Sequence, residues 1–305
     1  MRKEKVNIAA SVRSRLYNLA KSQGVDFNRI LLLYVQERIL YRISLSRYHD
    51  NFILKGGLLF YGTHGQMARP TKDMDFWIKH KSNRPENILP LCTEIFSIQA
   101  PDGLVFDLER LSLEPIKSEE EYEGLRLKIP VRLEQARQIV QIDMGFSDVV
   151  IPAPVSFSYP ILLTETEFEI MGYSWESVIA EKFEAMVKLG DVNSRMKDIY
   201  DIHFLLSHNS FMHNELQTAI SQTFNHRKTL INQEAMAVVD AFRNNPSKKV
   251  QWQAFLRKSS LKIDESFEQV LSEVGSFLHP IIEAIIHGAE SPTAWNPSLK
   301  RWERS

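Results

Sequence analysis

The stretch from Phe52 to Lys79 constrains the fold more than any other part of the chain. Its first half is an apolar segment that meets two glycines, Gly56 and Gly57, and continues as an apolar run typical of a helix. Its second half carries Asp73 and Asp75 in an alternating pattern typical of a strand. Side chains at positions i and i+2 of a strand point to the same face, so the two carboxylates are predicted to project together.

These two halves predict a particular chemistry when they are combined. Paired carboxylates on one face can bind a divalent metal. Glycines at a strand-to-helix turn let the backbone approach a phosphate, which the unpaired N–H groups of the helix N-terminus can bind. Each pattern alone is more often a solvated strand end or an ordinary turn. Their order and spacing together indicate a site for a nucleoside triphosphate and its magnesium.

The bulk composition is that of a globular protein with a real core. The chain has 305 residues, of which 44% are hydrophobic and 25% are charged, enough for one large or two ordinary domains. A single cysteine, Cys92, excludes an internal disulfide and a cysteine-built zinc site. No stretch is predicted to reach the apolar length of a membrane span, so no membrane partner is expected and the cytoplasm is the expected compartment.

The net charge of −1 conceals a basic N-terminal region. Residues 1–50 contain ten Lys or Arg and four Asp or Glu, a net charge of +6. A basic face of this kind can follow a phosphate backbone or an acidic partner. Helix surfaces are also commonly basic without such a role, so RNA contact in this region stays one of two interpretations.

Periodicity predicts both helices and strands. Apolar residues at helical spacing predict helices at 7–23, 27–46, 85–97, 175–189 and 195–208. Strands are predicted at 52–55 and at 73–79, and within 104–113, 122–133 and 137–146. The proline-containing segment 149–164 is interpreted as a crossover, the chain beyond residue 209 as mainly helical, and the tail 291–305 as irregular.

The glycine pair followed by two aspartates resembles the signature of the polymerase-β-like nucleotidyltransferase superfamily. The longer pattern Leu-Lys-Gly-Gly…Arg-Pro-Thr-Lys-Asp-Met-Asp is similar to the AbiEii/AbiGii branch of toxins, which includes the MenT toxins. Two later segments match further motifs of that branch, Ala180 to Ala185 and Asn193 to Asp201. One position departs from the pattern, because Gly57 stands where many relatives have serine.

The resemblance implies an α+β fold with two domains. Residues 1–165 would form a polymerase-β-like core, with two N-terminal helices bracing a mixed sheet of about five strands. Residues 166–305 would form a helical domain that contributes the later active-site motifs.

The resemblance also implies a metal site for Mg²⁺ or Mn²⁺. Asp73 and Asp75 would be metal ligands and catalytic residues. Asp143 matches a third acid on a neighbouring strand in this fold. It lies within an apolar run, where a carboxylate has to meet a cation or a strand end, so a structural salt bridge is the alternative to metal binding.

Further catalytic and nucleotide-binding residues follow from the same motifs. Lys182 would bind triphosphate oxygens. Asp198 would act as the catalytic or lysine-orienting acid, with Asp201 as the competing assignment. Candidates to bind the nucleotide are Lys55, Gly56, Gly57, Arg69, Thr71, Arg195 and Lys197.

The implied function is that of a magnesium-dependent nucleotidyltransferase toxin of a toxin–antitoxin or phage-defence system. Such an enzyme would transfer a nucleoside monophosphate from an NTP to RNA, with the 3′ end of tRNA as the expected acceptor, and a separately encoded antitoxin would neutralise it. Two alternatives remain open: a small-molecule nucleotidyltransferase of the aminoglycoside-modifying type, and a catalytically silent nucleotide-binding protein of the same fold.

Overall fold

The structure is a computed structural model that describes residues 7–116, 124–163, 167–288 and 293–303. It divides into two units. The first, called the sheet unit, consists of Met1–Asp148 and Val155–Gly172. The second, called the helical unit, consists of Val149–Pro154 and Tyr173–Ser305.

Eight strands form one mixed sheet among the described residues of the sheet unit. They are β1 (Phe52–Lys55), β2 (Met74–Ile78), β3 (Leu104–Phe106), β4 (Ser112–Pro115), β5 (Leu125–Leu133), β6 (Ala136–Gly145), β7 (Val155–Tyr159) and β8 (Phe168–Gly172). Their order is β3-β5-β6-β2-β1-β8-β7, and β4 also pairs with β5. The pairs β2–β6 and β1–β8 are parallel, whereas the other pairs are antiparallel.

The predicted alternation along the acid-bearing strand is confirmed. Met74, Phe76 and Ile78 are fully buried, while Asp75 and Trp77 between them are only half-buried. Burial of the apolar set fixes the register, because a slip of one residue would turn every apolar side chain to the other face. Asp75 is thereby held on the polar face of the sheet.

Four α-helices are described in the sheet unit, and the first two begin at side-chain caps. They are α1 (Ile8–Gln23), α2 (Phe27–Leu45), α3 (Gly56–His64) and α4 (Pro85–Ser97). The side chains of Asn7 and Asp26 accept backbone N–H bonds at the starts of α1 and α2, and Gly24 ends α1 in the left-handed conformation.

Several arginines of the basic N-terminal region form ion pairs within the protein. Arg38 and Arg42 are buried on α2, and both contact the carboxylate of buried Asp102. Arg47 lies 2.7 Å from Glu94. The basic surface is therefore smaller than the charge count of residues 1–50 indicates.

The helical unit contains six helices and a short sheet among its described residues. The helices are α5 (Trp175–Leu189), α6 (Met196–His208), α7 (His213–His226), α8 (Gln233–Asn244), α9 (Pro246–Ser259) and α10 (Phe267–His287). The strands are β9 (Phe211–Met212), β10 (Ala294–Asn296) and β11 (Arg301–Glu303), in the order β11-β10-β9.

The expectation of an irregular tail is wrong for residues 293–303. This segment forms the β10–β11 hairpin. Its two tryptophans anchor it, because the indole Nε1 of Trp295 donates to Leu206 O and that of Trp302 donates to Phe277 O. Burying an indole is favourable once its N–H has a partner, which explains why this tail is ordered.

The segment between the units also differs from the sequence interpretation. Residues 149–164, interpreted as a crossover, include β7, and β8 lies after the expected boundary between residues 165 and 166. Because β8 pairs with β1 and β7, the sheet unit extends to Gly172. The sheet has eight strands rather than about five for the same reason, and because β3 and β4 pair with β5.

Helix α10 corrects the expectation that no stretch is long and apolar enough to cross a membrane. Within the described residues, Phe267–His287 alone has that length and composition, and half of its apolar window is buried inside the protein. Ten of its residues are buried, and it packs against α6, α7 and α8. This burial is that of a core helix.

Candidate active site

Four strands of the sheet unit bring a row of charged side chains to one face, with two carboxylates between two cations. Lys55 on β1 pairs with Asp75 on β2, Asp75 with Asp143 on β6, and Asp143 with Arg126 on β5. Residues that lie directly opposite each other in a sheet share a face, so the four side chains project together. Glu114 on β4 extends the row, because it lies opposite Arg126.

Arg126 holds Asp143 in a bidentate ion pair. Its Nε and Nη2 each donate to one carboxylate oxygen of Asp143, both at 2.8 Å. The aspartate within an apolar run thus meets a cation, as its burial requires. The amide nitrogen of Gln141 lies 3.5 Å from Asp143 Oδ2 and 3.4 Å from Asp73 Oδ1, so Asp73 lies beside the row.

The turn at Gly56 lies against Asp75. Gly56 has φ +67°, and a Cβ built on it would lie 2.8 Å from Asp75 Cγ and closer still to Oδ2. Only glycine fits this position, because it tolerates the left-handed backbone and leaves room for the carboxylate. Gly56 also begins α3, whose first N–H groups have no partners within the helix.

Gly57 has a different neighbour. A Cβ at this position would lie 2.6 Å from Thr71 Cβ and 2.9 Å from Thr71 Oγ1. A serine there would collide with Thr71, which gives a physical reason for the departure from the family pattern. The Thr71 hydroxyl occupies the space beside the turn into which the serine side chain would project.

Two predicted cations near the turn have different surroundings. Lys55 Nζ donates to Asp148 Oδ2 at 2.7 Å, and both side chains are mostly buried. Arg69 is half-buried in the loop between α3 and β2. The Lys55 ammonium is therefore held in a fixed position beside Asp75.

The donor set of this face fits a hard divalent cation. Asp75 and Asp143 lie opposite each other on adjacent strands, and Asp73 reaches the same amide as Asp143. Carboxylate oxygens are the ligands that Mg²⁺ prefers. Both oxygens of Asp143 pair with Arg126, so coordination by Asp143 would require that ion pair to open, and Asp73 and Asp75 are the predicted ligands.

In the helical unit, a lysine is held by two buried carboxylates. Lys182 on α5 donates from Nζ to Asp198 Oδ1 at 3.0 Å and to Asp201 Oδ2 at 2.6 Å, both on α6. The side chains of Asp198 and Asp201 are 0% and 1% exposed, against 13% for Lys182. Asp198 and Asp201 lie one helical turn apart, so both reach the same ammonium.

Contacts of Arg195 and Lys248 hold the start of α6 in place. Arg195 Nε lies 2.7 Å from Asp198 Oδ2, and the Arg195 N–H donates to Asn193 Oδ1. The ammonium of Lys248, a residue only 1% exposed, donates to the carbonyls of Asp191 and Asn193 at 2.6 Å each. This buried lysine fixes the turn that leads into α6.

The start of α6 brings several predicted residues together. Lys182, Asp198, Asp201 and Arg195 form one cluster. Lys197 is exposed, whereas its neighbour Asp198 is buried.

The helical unit contains a separate group of side chains of the kinds that bind metal ions. One ligand atom each from His203, Glu265 and Glu273 lies within 4.8 Å of the others. The ammonium of Lys300 already contacts Glu265 at 3.0 Å and Glu273 at 2.7 Å. Lys300 therefore compensates these carboxylates as a cation would, and the cluster anchors β11.

Sequence reasoning missed four residues that shape these sites. Arg126, Gln141, Asp148 and Lys248 belong to no predicted set of site residues. Arg126 would follow from the register of the β5–β6 hairpin, because the pairing of Leu133 with Ala136 places Arg126 opposite Asp143. The two turn residues, Glu134 and Gln135, are not a typical hairpin turn sequence, so the sequence alone does not indicate this register.

Comparison with known proteins agrees with this architecture. The chain is similar to a crystal structure from H. pylori whose description as a nucleotidyltransferase is provisional, with a TM-score of 0.51, 14% identity, and coverage of 87% of this chain and 100% of that chain. A structure of JHP933 from Helicobacter pylori has a TM-score of 0.47 and 14% identity, covering 85% of this chain and 92% of that one. No curated protein sequence matches this chain.

The fold is thus that of a nucleotidyltransferase. A sequence model of the family described as nucleotidyl transferase AbiEii toxin, type IV toxin–antitoxin system, matches residues 38–273, which is more than half of the chain. The chain belongs to this AbiEii family, and the nucleotidyltransferase class predicted from the sequence is confirmed. Membership of a toxin–antitoxin family implies a separate antitoxin partner.

Proposed function

We propose that this protein transfers a nucleoside monophosphate from an NTP to RNA in a magnesium-dependent reaction, with the 3′ end of tRNA as the acceptor. The observation that carries the proposal is the contact between Gly56 and Asp75. This contact places a glycine turn that could approach a phosphate directly against a carboxylate that could bind a metal. A nucleotide whose phosphates lie on the first N–H groups of α3 would have its metal beside Asp75.

Each residue of the sheet unit has a distinct part in this proposal. Asp73 and Asp75 would hold the ion, and Lys55, fixed by Asp148, would compensate phosphate charge. The Thr71 hydroxyl, which donates to Asp73 O at 3.3 Å, would turn to donate to a phosphate oxygen beside Gly57, in place of the serine of relatives. When bound, magnesium neutralises the triphosphate and polarises the phosphorus that is attacked.

Asp143 has a supporting part in the same proposal. Its bidentate pair with Arg126 leaves it as a fixed negative charge next to Asp75. Such a charge would favour a cation at Asp75 without direct coordination. Direct coordination would require Arg126 to release at least one oxygen.

The Lys182 cluster is proposed to be required for transfer as well. Two buried carboxylates leave the lysine little freedom, so its ammonium is oriented before any substrate binds. Both Asp198 and Asp201 fit the lysine-orienting assignment, because both contact Nζ and both are buried. Arg195 and Lys197 would add positive charge at the exposed start of α6.

The test is to incubate the purified protein with Mg²⁺, each labelled NTP in turn, and total tRNA. We expect label in tRNA, and sensitivity of that label to removal of the tRNA 3′-terminal nucleotides before the reaction. Omission of Mg²⁺ or its chelation should abolish the incorporation. Label that enters tRNA internally would contradict the 3′-end acceptor.

The two alternative functions give different results in the same experiment. A small-molecule enzyme would label an aminoglycoside-type acceptor and leave tRNA unlabelled. A silent binding protein would bind NTP with magnesium and label neither acceptor. Either result would overturn the proposed RNA transfer.

The proposed biological role is that of a cytoplasmic toxin used in phage defence. Expression of the protein without its antitoxin is expected to arrest growth, because tRNA with an altered 3′ end cannot be charged. Co-expression of the separately encoded antitoxin should restore growth. Growth arrest that persists in an Asp75→Asn variant would separate toxicity from transfer.

A further inference from the structure

A cavity opens beside Asp73 in the sheet unit. Its volume is about 620 Å³, within the range of about 300–1,000 Å³ typical of ligand sites. The start of α2, the loop before β2 and one segment of β6 line it. Arg69, Thr71 and Asp73 line it, whereas Lys55, Gly56, Gly57 and Asp75 do not, so it adjoins the proposed triphosphate site rather than coinciding with it.

The strand pairing explains why the cavity exists. β5 pairs with β6 along nearly its whole length, whereas β2 pairs only with Ile142–Gly145. No described strand covers the β2 side of residues 138–141 of β6. The loop that carries Thr71 lies there instead, against Gly57 on one side and the cavity on the other.

The cavity wall combines apolar surface with amide groups. Ile139 is 69% exposed although it is a large apolar residue, and it lies two positions from Gln141 on the face that carries Asp143. Tyr61 and Leu33 add apolar surface. Apolar and aromatic surface beside amide donors and acceptors is what an unstacked nucleobase binds.

The charged residues of the lining carry a net positive charge. Arg29, Arg69 and Lys72 line the cavity, as do the carboxylates of Asp26 and Asp73. Arg29 and Lys72 are exposed and form no ion pair with the residues that the structure describes. Asp26 caps α2, but a hydrogen bond does not cancel its charge. Three cations against two carboxylates favour an anionic ligand.

The far end of the β5–β6 hairpin carries a second, independent feature. Arg132 and Arg137 lie directly opposite each other, and both are exposed. Like charges in this arrangement destabilise a sheet. Arg137 lies on the same face as Ile139 and Asp143, about 20 Å from Asp143 at about 3.3 Å per residue. A bound anion would relieve the repulsion of the two guanidinium groups.

We propose that the cavity and the Arg132–Arg137 pair form a track for the single-stranded 3′ end of the acceptor RNA. The terminal nucleotide lies in the cavity with its hydroxyl towards Asp73, and preceding phosphates contact the arginine pair. This inference rests on the proposed function and deepens it, because it assigns the acceptor a place beside that of the NTP. The step forms a bond between the acceptor hydroxyl oxygen and the NTP α-phosphorus and breaks the bond from that phosphorus to the α–β bridging oxygen. Pyrophosphate leaves with the bridging oxygen, and the hydroxyl proton passes to solvent.

The experiment measures RNA binding without catalysis, so that it stands apart from the test of transfer. The full-length protein in EDTA and without NTP is titrated against a fluorescent single-stranded RNA with a free 3′ hydroxyl. The variants are Arg132→Glu/Arg137→Glu for the track, and Arg29→Glu and Ile139→Asp for the cavity. Lys81→Glu/Arg84→Glu, two exposed positions of the same unit outside the cavity lining, is the charge-matched control.

The arginine pair should govern both affinity and its salt dependence. We expect the double variant to weaken binding roughly tenfold and to reduce the slope of log K against log salt by about 1.4, the value for two lost phosphate contacts on a single strand. The control variant should leave both unchanged. Equal losses in the two double variants would show a general effect of net charge and would overturn the track.

The cavity variants separate the acceptor from the incoming nucleotide. Arg29→Glu and Ile139→Asp should weaken RNA binding, while the affinity for NTP with Mg²⁺, measured separately by calorimetry, stays unchanged. An RNA with a 3′ phosphate should bind more weakly than one with a 3′ hydroxyl, because Asp73 would repel it. Loss of NTP affinity with intact RNA affinity would overturn the assignment in favour of a nucleotide-base site. Loss of antitoxin binding alone would overturn it in favour of a protein interface.

Discussion

Gly56 and Asp75 are in van der Waals contact, at a distance that leaves no space for a side chain on the glycine. Gly56 begins α3, and Asp75 lies on β2, which pairs with β1 immediately before the turn. A change in the Gly56 turn would therefore displace the Asp75 carboxylate. This coupling makes the glycine a sensitive probe of the metal site.

Gly56→Ala is expected to impair metal-dependent NTP binding severely. The new Cβ would displace the Asp75 carboxylate, and the left-handed backbone would add about 1–2 kcal/mol of strain. Gly24→Ala is the matched control, because Gly24 has φ +64° with nothing within 4 Å of its built Cβ. Calorimetric NTP titration with Mg²⁺ and thermal unfolding separate the two effects. Equal NTP affinity in both variants would contradict the coupling.

Arg126→Met is expected to decide between the two interpretations of Asp143. If Asp143 can join the metal site, removal of the bidentate partner frees its oxygens next to Asp75 and raises Mn²⁺ affinity roughly tenfold, about 1.4 kcal/mol. If the pair is purely structural, the variant loses stability and its Mn²⁺ affinity does not rise. Electron paramagnetic resonance of free Mn²⁺ measures the affinity, and urea unfolding measures the stability.

Lys182→Met is expected to destabilise the helical unit. Without the ammonium, the buried carboxylate of Asp201 would lose its contact with Lys182, and that of Asp198 would keep its contact with Arg195. Breaking a buried pair in this way costs about 3–5 kcal/mol. The triple variant Lys182→Met/Asp198→Asn/Asp201→Asn should regain most of this stability and still lack transfer activity. A single variant with unchanged urea unfolding would show that the cluster is not coupled as its distances indicate.

The free energy of unfolding should depend on pH because of Glu37. Burial raises the pKa of Glu37 from 4.5 to about 7, opposed in part by the Leu162 N–H and by Arg38. The folded state therefore binds this proton more tightly than the unfolded state. Its stabilising contribution is complete below pH 4.5 and is lost as the pH rises to about 7, on the order of 3 kcal/mol in total.

Glu37→Gln isolates this contribution, because the amide oxygen can still accept the Leu162 N–H. We expect the variant and the parent protein to be similar in stability at about pH 5 and the variant to be more stable at about pH 8. Urea unfolding across this range measures the difference. A difference that does not change with pH would contradict the raised pKa.

Local patterns sufficed to predict the parts of the site that lie close together in sequence. The alternation around Asp75 and the glycine turn at Gly56 each follow from neighbouring residues, and the structure shows both as expected. Lys182 and Asp198 were predicted as members of motifs, and their contact depends on the packing of α5 on α6.

The features that the sequence did not predict depend on non-local pairing. β8 was missed because its pairing with β1 spans more than a hundred residues and its segment follows a proline-containing stretch. Arg126 was missed because its role appears only when the β5–β6 register is known. Lys248 was missed because a buried lysine that donates to carbonyls has no distinct sequence pattern.

The central claim is that Asp73, just before β2, and Asp75, on β2, bind the metal of the NTP for transfer to RNA. The most direct measurement compares the rate of labelled nucleotide incorporation into tRNA for the parent protein, Asp75→Asn and Asp107→Asn, at saturating Mg²⁺ and with folding verified by circular dichroism. Asp107 is a half-buried acid of the same unit that lies outside the proposed site, so its variant is the control. We predict that Asp75→Asn abolishes incorporation while Asp107→Asn retains it. Incorporation by Asp75→Asn at the rate of the parent protein would contradict the claim.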